Sequence, residues 1–177
     1  MQDILIVVDM QNDFIDGALG TAEAVEIVPR TAEKIRGFGG RVIFTRDTHE
    51  KNYMDTREGR NLPIPHCIRD TEGWQISPAL TPFVAESPID KPTFGSVQLG
   101  ELLKQADEEE KIGSITLIGL CTDICVISNA MIIKAVLPEA EIKVDASCCA
   151  GVTPESHRNA LSAMKMCQII VENENPS

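Results

Sequence analysis

Four groups of residues in this chain have the types and spacing to carry chemistry. The first centres on Cys125, within Leu120-Cys121-Thr122-Asp123-Ile124-Cys125-Val126. Thr122 or Asp123 can cap a helix here, which places Cys125 in its first turn. A thiol in that position feels the positive end of the helix dipole and the free N–H groups, so its pKa is expected to fall. The same N–H groups could hold an oxyanion. Cys121 competes as nucleophile but sits in the turn itself, and the commoner fate of a free Cys is to pack as a small hydrophobe. The second group is Asp9, at the tip of the apolar run Ile4-Leu5-Ile6-Val7-Val8. A carboxylate there costs desolvation unless it has a partner; otherwise it is a loop-capping Asp. The third is Asp47-Thr48-His49, followed in the same stretch by His66 and several carboxylates. Two residues apart in extended chain, Asp47 and His49 point to the same side. Two imidazoles with carboxylates suit zinc, iron or manganese, whereas a surface His beside a turn Asp is the bland alternative. The fourth is Lys91, which alone says little, because most lysines are solvated surface charges. His157 falls on an apolar stripe with Ala160, Leu161 and Met164 and reads as a boundary histidine. Cys148, Cys149 and Cys167 lie at element ends without acid–base neighbours and read as packing residues.

The elements that must position these residues alternate along the chain. Ile4–Val8 is a β-branched run that fits a strand buried on both faces. Val28, Ala32, Ile35 and Phe38 recur at helical spacing, with Pro29 placed early and Gly39-Gly40 as a stop. Val42–Thr45 reads as a strand. Residues 46–96 have no steady period and hold most of the ten prolines and the single Trp. They read as a long functional connection. Leu99, Leu102, Leu103 and Ala106 mark a helix, Ile115–Leu120 a strand, and Thr122–Val136 an apolar helix stopped by Pro138. Ile142–Ala146 is a strand, Thr153-Pro154 opens a last helix, and Gln168–Val171 is a short final strand. Strands alternating with helices imply right-handed parallel βαβ units. The expected fold is α/β: a three-layer α/β/α sandwich around a mostly parallel, doubly wound sheet, in one domain over 1–177 with an insertion at about 46–96. Sites in such sheets lie at the carboxyl ends of strands, so chemistry should gather after Asp9, Thr45 and Leu120.

Composition narrows the classes. The chain has 177 residues and a net charge of −11. A nucleic-acid binder would show a basic face, and none is visible. No apolar run reaches the ~20 residues that span a bilayer, so no membrane partner is expected. The opening residues are apolar but lack a basic start and a small-residue cleavage site, so a secretory leader is not expected and the cytoplasm is the expected location. Six Cys are therefore read as reduced thiols rather than bridges.

Five ordered segments together resemble the isochorismatase-like cysteine hydrolases, and among them the nicotinamidases. They are Val8-Asp9-Met10-Gln11-Asn12-Asp13-Phe14, Thr45-Arg46-Asp47-Thr48-His49, Pro65-His66-Cys67, the Lys91 segment, and Gly119 to Val126. The resemblance implies an Asp–Lys–Cys triad on Asp9, Lys91 and Cys125. It implies a non-proline cis peptide at Leu120-Cys121, with the N–H groups of Cys121 and Cys125 as the oxyanion hole. It implies one divalent metal on Asp47, His49 and His66, zinc before iron or manganese, with Glu58 in a fourth position that other members fill with His. Phe14 matches an aromatic that packs on the substrate ring. Some nicotinamidases carry a tryptophan three residues before the last metal His; that position here is Pro63, which leaves Trp74 as the candidate second wall. The implied activity is amide hydrolysis, nicotinamide to nicotinate and ammonia through a thioester on Cys125, in a homo-oligomer. A metal-independent amidase acting on a ureido or N-carbamoyl substrate is the alternative enzyme. A non-catalytic small-molecule-binding or thiol-sensing module is the alternative outside enzymes.

Overall fold

The computed structural model describes residues 1–174. Its centre is β1, Gln2–Val8, whose residues Ile4 to Val8 are completely buried. Alternate side chains of β1 enter two different cores, which explains the unbroken apolar run. Ile4, Ile6 and Val8 pack with α4 (Val97–Glu109), α5 (Ile127–Val136) and α6 (Pro154–Met166). Leu5 and Val7 pack with α1 (Asn12–Ile15) and α2 (Ala22–Gly37) on the other face. The result is the three-layer α/β/α arrangement.

Around β1 stand β2 (Arg41–Asp47), β3 (Ile89–Lys91), β4 (Ile112–Leu120), β5 (Glu141–Ala150) and β6 (Ile170–Glu172), with α3 (Arg57–Asn61) in the long connection after β2. The six strands are all parallel, in the order β3-β2-β1-β4-β5-β6. The order runs down to β1 and then jumps to β4, which makes the β1/β4 boundary the switch point where such sheets open a crevice. Val8 pairs with Gly119 at that boundary. Gly119 has φ 116, and a Cβ there would lie 2.1 Å from the Val8 carbonyl oxygen, so only glycine lets β4 pass this close.

Three sequence expectations need correction. The second helix begins well before Val28: Thr21 caps it through Ala24 N–H, and Pro29 sits inside it. The carbonyl that Pro29 leaves unpaired belongs to exposed Val25, where water can reach it. The connection at 46–96 is not free of strand, because β3 pairs with β2 there. Neither Thr122 nor Asp123 caps a helix. Residues Thr122–Val126 form a π turn ahead of α5, the Cys121 carbonyl accepts from Ile124 and Val126 N–H, and both side chains are committed elsewhere. Thr122 Oγ1 meets His157 Nδ1 at 2.7 Å, and Asp123 accepts from Val152 N–H.

Candidate active site

Four parallel strands end at one crevice, and each delivers part of the site. Asp9 follows β1 in the left-handed region at φ 47, a conformation that Asp tolerates better than most residues. Its backbone N–H reaches the Thr45 carbonyl, and the Thr45 hydroxyl donates to Asp9 Oδ1 at 2.6 Å. Lys91 ends β3, and its ammonium lies 2.5 Å from Asp9 Oδ2 and 3.4 Å from Cys125 Sγ. A third bond goes from Lys91 Nζ to the Thr93 carbonyl. Asp9 and Lys91 have no solvent exposure, and Cys125 is buried in the π turn after β4. The Leu120-Cys121 peptide is cis.

Burial sets the protonation of this trio. Desolvation raises the Asp9 carboxyl, with Lys91 pulling against it. Burial alone would lower Lys91, but Asp9, Cys125 and Asp47 more than reverse this, so it stays an ammonium. Burial and the Asp9 carboxylate push the Cys125 thiol well above its ordinary value, with Lys91 opposing. These influences run against the lowering expected from a helix start. A helix-end dipole is weaker than complete desolvation beside a carboxylate.

Against the trio stands a second group. Asp47 ends β2, and its Oδ2 lies 3.0 Å from His49 Nε2 and 3.5 Å from His66 Nε2. Glu58, on α3, places Oε1 3.4 Å from His49 Nε2 and 3.9 Å from His66 Nε2. One donor atom from each of the four residues lies within 4.8 Å of the others. The donor chemistry fits a divalent cation. His66 Nδ1–H donates to the Ile64 carbonyl at 2.8 Å, a tautomer that leaves Nε2 with its lone pair toward the group. Asp47 Oδ1 is buried without a hydrogen-bond donor. Burial works to raise the Asp47 carboxyl, but the His49 and His66 rings, when they carry a proton on Nε2, and the Lys91 charge hold it below the usual carboxylate range.

The two groups face one cavity of 470 Å³, lined by Phe14, Asp47, Glu58, His66, Cys121 and Cys125, with Arg57, Asn61, Leu62 and Phe94 toward its mouth. Phe14 packs against His66 with ring centroids 5.5 Å apart. Trp74, expected as a substrate wall, does not line the cavity. Its indole N–H donates to Thr48 Oγ1 at 2.8 Å, and the Arg46 guanidinium covers its ring at 3.6 Å. It is a strut beneath β2, drawn there because a buried indole must satisfy its N–H. Cys121 lines the cavity, and burial raises its pKa to about 12. Cys148 and Cys149 are buried, whereas Cys167, expected to pack, is exposed; all six thiols are free.

Sequence reasoning missed Tyr53 and Gln11. Tyr53 is buried against His49 and His66, with centroids 4.7 and 5.1 Å away, and its hydroxyl donates to the Leu62 carbonyl. It is the only Tyr in the chain and sits between the two metal-candidate histidines in sequence, which was the available signal.

Residues 3–175 match the isochorismatase domain family model. The chain belongs to the isochorismatase family, and its sheet and helices match the α/β fold of solved members. An isochorismatase family protein of Bacillus subtilis, PncA, is 33% identical over 175 residues, covering 92% of this chain and 93% of that protein. The crystal structure of nicotinamidase PncA from Bacillus subtilis aligns with a TM-score of 0.80 at 30% identity, over 97% of this chain and 99% of that one. The pyrazinamidase of Pyrococcus horikoshii, solved in complex with zinc, aligns with a TM-score of 0.78 at 29% identity, over 97% and 98%. No helix among the described residues is long and apolar enough to cross a membrane.

Proposed function

We propose that this hydrolase is a metal-dependent cysteine amidase that converts nicotinamide to nicotinate and ammonia. The observation that carries the reading is the buried Lys91 ammonium, 2.5 Å from Asp9 and 3.4 Å from Cys125, behind a cavity that Cys125 lines together with Asp47, Glu58 and His66 of the candidate ligand group. Similarity to a nicotinamidase and a pyrazinamidase supports a heteroaromatic carboxamide as substrate.

Asp9 takes the Cys125 proton as the thiolate attacks the carboxamide carbon. Lys91 stays protonated throughout and offsets the negative charge as it passes from carboxylate to sulfur. The backbone N–H groups of Cys121 and Cys125 hold the resulting oxyanion. Asp9 then returns the proton to the amide nitrogen, the C–N bond breaks, and ammonia leaves a thioester. Asp9, again a carboxylate, draws a proton from water as the water oxygen attacks the thioester. The C–S bond breaks, the acid is released, and the thiolate recovers the proton from Asp9. Asp47, His49, Glu58 and His66 would hold zinc, iron or manganese, which supplies an electrophilic anchor for the lone pair of the substrate's ring nitrogen. Phe14 packs on the ring face.

The test is ammonia release over a panel of small amides with nicotinamide and a ureido compound among them. Nicotinamide turnover that falls to background in Cys125→Ala, with metal content unchanged, supports the reading. Turnover of the ureido compound alone, by metal-free protein, overturns it in favour of a metal-independent amidase.

A further inference from the structure

We propose that Gln11 is a positioning residue for the metal-ligand group, acting as a surrogate peptide of β1. This rests on the reading of Asp47, His49, Glu58 and His66 as ligands. The ladder between β1 and β2 stops where the chain turns away at Asp9: the last paired residues are Val7 and Phe44, followed by a single bond from Asp9 N–H to the Thr45 carbonyl. Asp47 lies beyond that point, so its backbone has no strand on the β1 side. The Gln11 carboxamide fills the gap. Its Oε1 accepts the Asp47 N–H at 2.7 Å, and its Nε2 donates to the Asp47 carbonyl at 2.8 Å. A side-chain carboxamide has the same donor and acceptor as a peptide group, so it continues the ladder by one rung. The second Nε2 proton goes to the Trp74 carbonyl at 2.9 Å, which ties the middle of the long connection to the same point.

Gln11 is fully buried, and these bonds use its two donors and its acceptor. Asn is one methylene too short to span both groups of Asp47. Glu would oppose two carbonyl oxygens with a carboxylate. The neighbouring Asp13 works in the same sense, since its Oδ2 accepts the Cys67 N–H at 2.7 Å, beside ligand His66. Asp47 is thus fixed at its main chain, at the point from which its carboxylate reaches the two imidazoles.

Zinc titrated calorimetrically into the full-length apo protein tests this. Gln11→Glu should lower zinc affinity about 10–100-fold while keeping one site per chain. Leu161→Ala, which destabilises the distant core, should leave zinc affinity at the wild-type value. A folded Gln11→Glu protein that binds zinc like wild type overturns the inference, as does an equal loss in Leu161→Ala. Should Gln11→Glu fail to fold, the wild-type side-chain amide resonances of Gln11 decide. They should be protected from exchange in the apo protein and shift when zinc is added; resonances that exchange freely overturn the role. Wild type binding zinc no better than Asp47→Ala would instead defeat the metal reading itself, a separate result.

Discussion

Lys91 and Asp47 stand 3.8 Å apart, Nζ to Oδ1, so the two halves of the site touch through one carboxylate. The other oxygen of Asp47 faces His49 and His66. Lys91 therefore sits between two carboxylates, with Asp9 the nearer. Whatever neutralises Asp47 loosens its hold on Lys91 and leaves the ammonium to Asp9 and the thiol.

The buried pair of Asp9 and Lys91 should show strong coupling. Lys91→Met leaves a carboxylate without its cation and should cost about 3–5 kcal/mol. Asp9→Asn combined with Lys91→Met should recover most of that loss, because Asn tolerates the left-handed backbone and removes the stranded charge. Urea unfolding of the singles and the double checks this. Additive losses would mean that the pair does not interact.

Thiol labelling should run against a simple reading of nucleophile activation. With iodoacetamide at neutral pH and no substrate, exposed Cys167 should react before Cys125, whose proton is held by burial and Asp9. The Cys125 rate should keep climbing above pH 9. Peptide mapping that finds Cys125 labelled first at pH 7 would show a thiolate already formed at rest.

Metal should stabilise the fold by mass action. Zinc at one hundred times its Kd should contribute about 2.7 kcal/mol. For a chain of this length, that raises the melting temperature by roughly 5–10 °C. Thermal scans with zinc and with a chelator measure it, and Asp47→Ala should abolish the difference.

The acid limb of stability should depend on Asp145, remote from the site. Burial works to raise its carboxyl, but hydrogen bonds from Lys34, Ser147 and Asn173 hold it below the ordinary range. The unfolded value is about 3.9. A depressed folded pKa gives stability that is fully present above that value and lost as pH falls through the folded one. Asp145→Asn should therefore lower stability at pH 7 and flatten its decline below pH 4 in denaturant titrations.

Much of the framework was legible because it rests on local pattern. β1 shows as a run of apolar residues since both its faces are buried, and Asp9, Asp47 and Cys125 follow strand ends, where such sheets place chemistry. β3 was hidden because it is three residues long and lies between Pro88 and Pro92, which an edge strand tolerates. Trp74 was misassigned because its role comes from Arg46 and Thr48, and nothing local to residue 74 announces them. Gln11 was invisible for the same reason, since its partners lie 36 and 63 residues away. The upward pull on the Cys125 thiol was not legible because a helix dipole can be read from sequence, whereas complete burial beside Asp9 cannot.

The order in which the strands carry the site has a consequence for how the chain is made. Translation delivers Asp9, the proposed base, first, then the proposed ligands Asp47 to His66, then Lys91, and Cys125 only afterwards. β1 cannot take its central place until β4, far downstream, pairs with it at Val8 and Gly119. A chain still being synthesised thus carries Asp47, His49, Glu58 and His66 before Cys125 exists, and no early fragment contains Asp9, Lys91 and Cys125 together. Recovery of activity during refolding would then report the closing of the β1/β4 seam.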